Sequence, residues 1–120
     1  MAKRHTTVLQ QYEALKAALG TLGFVRPGSI ARRFMRCGKP GCHCMADPPT
    51  LHGPYYDWTY KLHGKSIARR LTEAQAKQCE EWLRNHRQLR RIVNKMKLLS
   101  LKETDRLLQA LANTDEHSGN

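Results

Sequence analysis

The sequence predicts an α+β protein, in which a small antiparallel sheet is flanked by one N-terminal helix, one long C-terminal helix and a shorter final helix. Three observations lead to this prediction: apolar residues recur with helical spacing at both ends of the chain, aromatic residues alternate between them, and three cysteines lie within eight residues beside glycine and proline. A chain of 120 residues can bury one core. We therefore expect a single small domain over residues 1–113 and a disordered tail over 114–120.

The first helix is predicted over residues 8–22. Thr7 and Gln10 fit the capping-box pattern, in which a hydroxyl and a later side chain satisfy exposed backbone N–H groups at the helix start. Apolar residues then follow at steps of three and four. Gly20 and Gly23 are expected to end the helix through a left-handed residue.

Two further helices are predicted in residues 73–112, over 73–98 and over 101–112. Each follows a hydroxyl residue, Thr72 or Ser100, that has Gln or Glu three positions later. The near-heptad spacing of apolar residues in the two longer predicted helices, 8–22 and 73–98, allows a coiled coil between two copies of the chain, and hence a homodimer. An intramolecular helical hairpin accounts for the same spacing.

Between the helices, over residues 26–71, the apolar period changes to two. Three aromatic residues alternate with polar ones and predict a strand whose aromatic face packs on the helices. They are Tyr56, Trp58 and Tyr60. A turn at 63–65 leads into a second strand at 66–71. The pentapeptide Ser-Ile-Ala-Arg-Arg, which begins at 66, also begins at 29, so we expect a third strand over 29–36.

The cysteine-rich segment predicts a metal site. Cys37, Cys42 and Cys44 supply three thiolates around a Gly and Pro turn, and His52 follows after a second turn. Structural zinc sites use four Cys and His ligands at short loop spacings, so we expect Zn²⁺ held by these four residues in a zinc-knuckle-like loop. His43, His63 and Cys79 are weaker candidates for the fourth ligand.

Other states of the cysteines stay open: buried reduced thiols, a disulfide, or an iron–sulfur centre that would need Cys79 as its fourth thiolate. A catalytic zinc is disfavoured. No cysteine or histidine of the segment lies in a His-x-Glu or His-Glu-x-x-His arrangement, and residues 26–71 contain no glutamate that could act as a base. The site is therefore interpreted as structural. A zinc-dependent nuclease or hydrolase is the least favoured function for this chain.

Three sequence blocks, "CGKPGCHC", "HGPYYDWTY" and "HGK", resemble a family of short, largely uncharacterised bacterial and mobile-element proteins. The resemblance covers about residues 28–97. It implies Cys37, Cys42, Cys44 and His52 as the metal ligands, and a bacterial protein that acts beside a transposase or recombinase. It implies no activity.

The charge of the chain favours a polyanionic partner, since 21 Lys and Arg against 10 Asp and Glu give a formal net charge of +11. The expected nucleic-acid contacts in the sheet region are Arg32, Arg33, Arg36, Lys39, Tyr55, Lys61, Lys65, Arg69 and Arg70, and those on the long helix are Arg84, Arg87, Arg91 and Lys95. Because side chains alternate along strands, Arg33 and Arg70 should lie on the opposite face from Arg32 and Arg69. A merely solvated basic surface is the alternative.

These features together predict a non-enzymatic, zinc-stabilised protein that binds nucleic acid, DNA in preference to RNA, as an accessory or regulatory factor of a mobile element. The alternative is a protein adaptor that docks a recombinase, transposase or other partner through its C-terminal helices. No apolar run is long enough to cross a bilayer, so we expect no membrane partner and a cytoplasmic, nucleoid-associated location.

Overall fold

The computed structural model describes residues 7–37, 39–46 and 50–118. Its elements in chain order are helix α1 (Val8–Leu19), strand β1 (Ser29–Met35), a short 3₁₀ turn (His43–Met45), strands β2 (His52–Leu62) and β3 (Lys65–Leu71), and helix α2 (Glu73–Ser118). The predicted α+β class is confirmed. The chain divides into two compact units, one formed by Phe24–His86 and the other by the residues before and after that range. The single-domain organisation stays a prediction.

The sheet is antiparallel, with β2 between β1 and β3. Trp58 at its centre lies opposite Ile30 of β1 and Arg69 of β3. Strands β2 and β3 are joined by two residues, His63 and Gly64, whose φ angles are 50° and 78°. Positive φ at both central positions defines the mirror-image turn whose twist matches that of the flanking strands, and glycine adopts it without steric cost. The predicted hairpin and third strand are confirmed.

The core of the Phe24–His86 unit lies between one face of the sheet and the first turns of α2. Its buried side chains are Trp58, Leu71, Ala76, Cys79 and Leu83, with Ile30, Tyr56, Tyr60 and Trp82 packed around them. The prediction that the alternating aromatic residues form a packed face is confirmed, and the helix on which they pack is α2. The indole N–H of Trp58 donates a hydrogen bond of 2.9 Å to the carbonyl oxygen of Pro27, so this buried donor is satisfied.

Helix α2 corrects the prediction of two C-terminal helices, because it runs without interruption from Glu73 to Ser118. The sequence contains no glycine or proline in that range, so nothing breaks the helix at Ser100. The Ser100 carbonyl instead accepts a 2.6 Å hydrogen bond from the hydroxyl of Thr104 in the next turn. The helix also continues past its expected end at Ala112 and includes residues 114–118 of the expected tail, while residues 119 and 120 lie outside the described residues.

The two other caps form as predicted. Thr7 and Gln10 exchange backbone-to-side-chain hydrogen bonds of 3.0 Å, and Thr72 and Gln75 do so at 2.9 and 3.1 Å. Helix α1 nevertheless ends earlier than expected, at Leu19. Gly20 caps it in a right-handed conformation with φ −66°, so the predicted left-handed termination there is wrong. Among the described residues, no helix combines the length and apolarity that a bilayer crossing requires.

Candidate metal centre

The four predicted ligands lie at one end of the sheet. Cys37 comes two residues after the end of β1, Cys42 immediately precedes the 3₁₀ turn, Cys44 lies within it, and His52 is the first residue of β2. The sheet register places Met35 of β1 opposite His52 of β2, so the two ends of the loop lie next to each other at the same end of the sheet. Within the loop, the Cys42 N–H donates to the Lys39 carbonyl at 3.3 Å, which closes the turn between the first two thiols.

The ligand atoms of Cys37, Cys42, Cys44 and His52 all lie within 4.8 Å of one another. The sulfur atoms of Cys37 and Cys44 are 3.4 Å apart, and His52 Nε2 is 3.2 Å from the sulfur of Cys42. Tetrahedral zinc with ordinary bond lengths would place two sulfurs about 3.8 Å apart, and a sulfur and a nitrogen about 3.5 Å apart. All four cysteines of the chain are free, so no disulfide competes for these thiols. The donor set fits a four-coordinate metal ion.

The surroundings of Cys44 favour the thiolate that a metal requires. Its side chain is fully buried, and the backbone N–H of Cys37 donates to its sulfur at 3.4 Å. This backbone hydrogen bond lowers the pKa of the Cys44 thiol. A buried sulfur with a backbone donor is typical of a structural metal ligand, whose charge is stabilised by the protein as well as by the ion.

The structure favours His52 over the other candidates for the fourth ligand. His43 is exposed, and its Nδ1 lies 4.0 Å from the sulfur of Cys42. His63 lies in the hairpin turn after the far end of β2. Cys79 is buried in the core, and burial raises the pKa of its thiol, which favours the uncharged form over a metal-binding thiolate.

One face of the sheet carries polar and basic side chains beside the metal centre, and we call it the outer face. Its residues are Arg33, Tyr55, Asp57, Lys61 and Arg70, as the strand register requires. Arg32 and Arg69 lie on the opposite face, as predicted. The outer face adjoins the metal centre through an open depression of about 200 Å³, lined by Met35, Arg36, Cys37, His52, Tyr55 and Arg70.

Asp57 organises the outer face and was not among the predicted site residues. Its carboxylate lies 3.0 Å from Arg70 Nε and 3.7 Å from Arg33 Nε. The hydrogen bond from Arg70 lowers the pKa of Asp57, and the charge of Arg33 acts in the same direction. The Arg70 guanidinium also lies 4.3 Å from the ring of Tyr55. A signal for this role exists in the sequence, since Asp57 is the only acidic residue between positions 48 and 72.

The remaining predicted contacts are spread over the molecule. Arg36 lines the depression beside Cys37, and Lys39 lies in the segment between Cys37 and Cys44, which we call the metal loop. Lys61 and Lys65 lie at the hairpin end of the sheet. Arg32 and Arg69 lie on the core side of the sheet. There, the Arg32 guanidinium is 5.2 Å from the Phe34 ring, and Arg69 lines a hollow with Arg26 and Trp82. On α2, Arg84 belongs to the Phe24–His86 unit, and Arg87, Arg91 and Lys95 belong to the other unit.

Arg26 is a second residue that sequence reasoning missed. Its guanidinium lies 4.2 Å from the centre of the Trp58 ring and 5.5 Å from that of Trp82, and its backbone N–H donates to the Trp82 carbonyl at 3.1 Å. Arg26 therefore links the first residues of the Phe24–His86 unit to the sheet and to α2. The pairing joins residues far apart in the chain, so no local pattern indicates it.

The fold and the site define a small α+β protein with a Cys₃His cluster that can bind a metal ion. The chain belongs to the family described as domain of unknown function DUF6788, which matches residues 2–81. The matched region includes α1, the sheet, all four candidate ligands and the first turns of α2. The resemblance of the three sequence blocks to an uncharacterised family is thereby confirmed. No curated protein and no solved structure matches the chain.

Proposed function

We propose that the protein is a zinc-stabilised, non-enzymatic module that binds nucleic acid, DNA in preference to RNA, through the outer face of its sheet and the metal loop. The observation that carries the proposal is the position of Arg36 and Arg70 in one depression with the ligands Cys37 and His52. A metal that fixes the loop would thereby also fix a group of cationic side chains at the sheet edge.

Zinc is the metal that this donor set suits best. Three thiolates and one imidazole are typical of structural zinc, and four protein ligands leave no position for a substrate or a reactive water. A structural role also suits the size of the unit, since among the described residues of Phe24–His86 the main core cluster contains five buried side chains. In such small units, metal binding supplies part of the folding free energy.

The outer face suits phosphate contacts better than the opposite face does. The side chains of Arg33 and Arg70 are 59% and 52% exposed, whereas the opposite face packs on α2. One carboxylate, that of Asp57, is shared between these two guanidinium groups, so a positive charge is left over for a ligand. Tyr55 beneath Arg70 offers a ring on which a sugar or base could pack.

Fluorescence anisotropy with labelled duplex and single-stranded oligonucleotides tests the proposal. We expect binding that weakens with salt, by roughly forty-fold between about 50 and 200 mM if three phosphates are engaged. Substituting Arg36→Gln should weaken binding to all sequences and reduce the salt slope by about one.

The matched control is Lys77→Gln, which removes the same charge from an exposed position of α2 within the same unit. It should leave both affinity and slope nearly unchanged. Equal losses from the two substitutions would indicate a diffuse charge effect and not a site. Absence of binding to either oligonucleotide at low salt would contradict the proposal.

The accessory role at a mobile element, in the bacterial cytoplasm and on the nucleoid, rests on the resemblance of the three sequence blocks and on the basic charge. An adaptor function is the second candidate, favoured by the exposed leucines of α2, such as Leu101 and Leu108. Co-purification of a recombinase or transposase that survives nuclease and high salt would support the adaptor, because phosphate-mediated association weakens under those conditions.

A further inference from the structure

We propose that a hollow between β3 and the first turns of α2 is an anion site separate from the outer face, and that it binds a doubly charged phosphoryl group, as in inorganic phosphate or a phosphate monoester. The hollow lies within the Phe24–His86 unit, on the side of the sheet opposite the outer face. The inference does not depend on nucleic-acid binding by the outer face. The positive charges that line the hollow, and their lack of carboxylate partners, select this ligand.

The hollow has a volume of about 250 Å³ and is lined by three parts of the unit. Arg26 comes from the segment before β1, and Arg69 comes from β3. Helix α2 contributes Gln75, Gln78 and Trp82, which share one helix face at spacings of three and four. Because α2 bounds the hollow on one side, the hollow suits a small ligand better than the continuous backbone of a duplex.

Arg26 and Arg69 bring two positive charges to the hollow that no carboxylate neutralises within the described residues. None of the ion pairs in residues 7–37, 39–46 and 50–118 includes either arginine. The carboxylate of Glu81 instead accepts a 2.8 Å hydrogen bond from the amide of Gln78. Arg26 is also partly buried, and a partly desolvated charge without a counter-ion costs free energy that a bound anion would recover.

The Arg26 guanidinium is held in place before a ligand binds. It lies 4.2 Å from the centre of the Trp58 ring and 5.5 Å from that of Trp82, and these contacts orient the group without neutralising its charge. The charge also acts on Cys79, which lines the same hollow: burial raises the pKa of that thiol, and Arg26 opposes the rise. A guanidinium that is already oriented loses little conformational freedom on binding, which favours affinity.

Two unpaired guanidinium groups match a ligand with two negative charges. A phosphate monoester carries a charge of about −1.5 to −2 at neutral pH and three acceptor oxygens, whereas a carboxylate carries one charge. Guanidinium groups bind phosphate oxygens through paired N–H donors. Gln75 adds a donor, because its Oε1 already accepts from the Thr72 N–H at 2.9 Å and its amide N–H₂ group remains for a ligand.

Intrinsic fluorescence tests the inference, because the two tryptophans of the chain, Trp58 and Trp82, both lie beside Arg26. Sodium phosphate, added to the nuclease-treated full chain at constant ionic strength, should change this fluorescence saturably and raise the melting temperature. The variant Arg69→Gln alters an exposed position and should bind phosphate at least about tenfold more weakly. The control Lys77→Gln removes one charge from an exposed position of α2 outside the hollow and should bind phosphate normally.

The charge and the source of the ligand are tested with the same measurements. Acetate should bind at least about tenfold more weakly than phosphate. A gain in affinity from a 5′-phosphate on an oligonucleotide, lost in Arg69→Gln, would support the site and identify a nucleic-acid end as its ligand. Phosphate binding without that gain would support the site and identify a free phosphate ester. No saturable response to phosphate, equal losses in Arg69→Gln and Lys77→Gln, or equal affinity for acetate would overturn the inference.

Discussion

The cluster of four candidate ligands could be predicted from the sequence because the pattern that indicates it is local. Three cysteines within eight residues, separated by turn-forming glycine and proline, have few uses in a chain without disulfides. His52 followed from its position after the loop. The pairing of Asp57 with Arg33 and Arg70 could not be predicted in the same way, since it depends on the register of three strands.

Substituting Cys44→Ser should abolish stoichiometric metal binding, because a hydroxyl replaces a buried thiolate that a backbone N–H supports. We expect a loss of metal affinity of more than about a hundredfold and a lower melting temperature. The control is Cys79→Ala, which removes a buried thiol from the core. The Cys79→Ala variant should be less stable but should still contain one metal per chain in elemental analysis. Loss of the metal from this variant would contradict the assigned ligand set.

Asp57→Asn should lower the melting temperature near neutral pH, because it removes a carboxylate shared by Arg33 and Arg70. The folded-state pKa of Asp57 lies below its ordinary value of 3.8, so its contribution is present above the unfolded pKa and is lost as pH falls through the folded pKa. The difference between variant and parent should be constant from about pH 8 to 5 and shrink only below about pH 4. A difference that already disappears near pH 6 would contradict this assignment.

At the scale of elements, the sequence predicted the helix caps, which depend on local hydrogen bonding, and the strands, which depend on the alternation of apolar and polar residues. The capping boxes at Thr7 and Thr72 form, and so do the three strands. The same capping pattern at Ser100 was misleading, because an N-cap forms only where a helix begins, and Ser100 lies inside α2. Without glycine or proline nearby, continuing the helix satisfies the backbone groups that a cap would otherwise serve.

Two glycine substitutions separate backbone conformation from steric crowding. Gly28 and Gly64 have φ angles of 96° and 78°, but a Cβ on Gly28 would lie 2.1 Å from the Thr59 carbonyl oxygen, whereas one on Gly64 meets open space. Gly64→Ala should therefore cost about 1 kcal/mol of unfolding free energy for its left-handed conformation. Gly28→Ala should cost at least about 2 kcal/mol more, because the β1–β2 contact must separate. Equal costs in urea denaturation would show that crowding between residue 28 and Thr59 adds nothing, contrary to this expectation.

At the scale of the whole molecule, apolar periodicity predicted the fold class and composition predicted the basic character, but neither predicted the distribution of burial. The helical stripes of α1 and α2 were consistent with either a hairpin or a coiled coil between copies. In the structure, most of the apolar side chains on α2 beyond Ile92 remain accessible. Periodicity shows which residues share a face and leaves open what covers that face.

Removing the metal with a chelator should destabilise the sheet more than α2. A metal held by the four candidate ligands would link the adjoining ends of β1 and β2, whereas α2 is stabilised by its own backbone hydrogen bonds and by the Thr72 cap. We expect a lower melting temperature with most of the helical circular dichroism retained. The Cys44→Ser variant serves as the control, since its melting temperature should not respond to chelator.

Elemental analysis combined with X-ray absorption at the metal edge tests the central claim, that Cys37, Cys42, Cys44 and His52 together hold one ion. The account predicts one zinc per chain, with about three sulfur ligands near 2.3 Å and one nitrogen ligand near 2.0 Å. A purified, folded protein without stoichiometric metal, or a metal coordination shell with oxygen in place of sulfur, would contradict this claim.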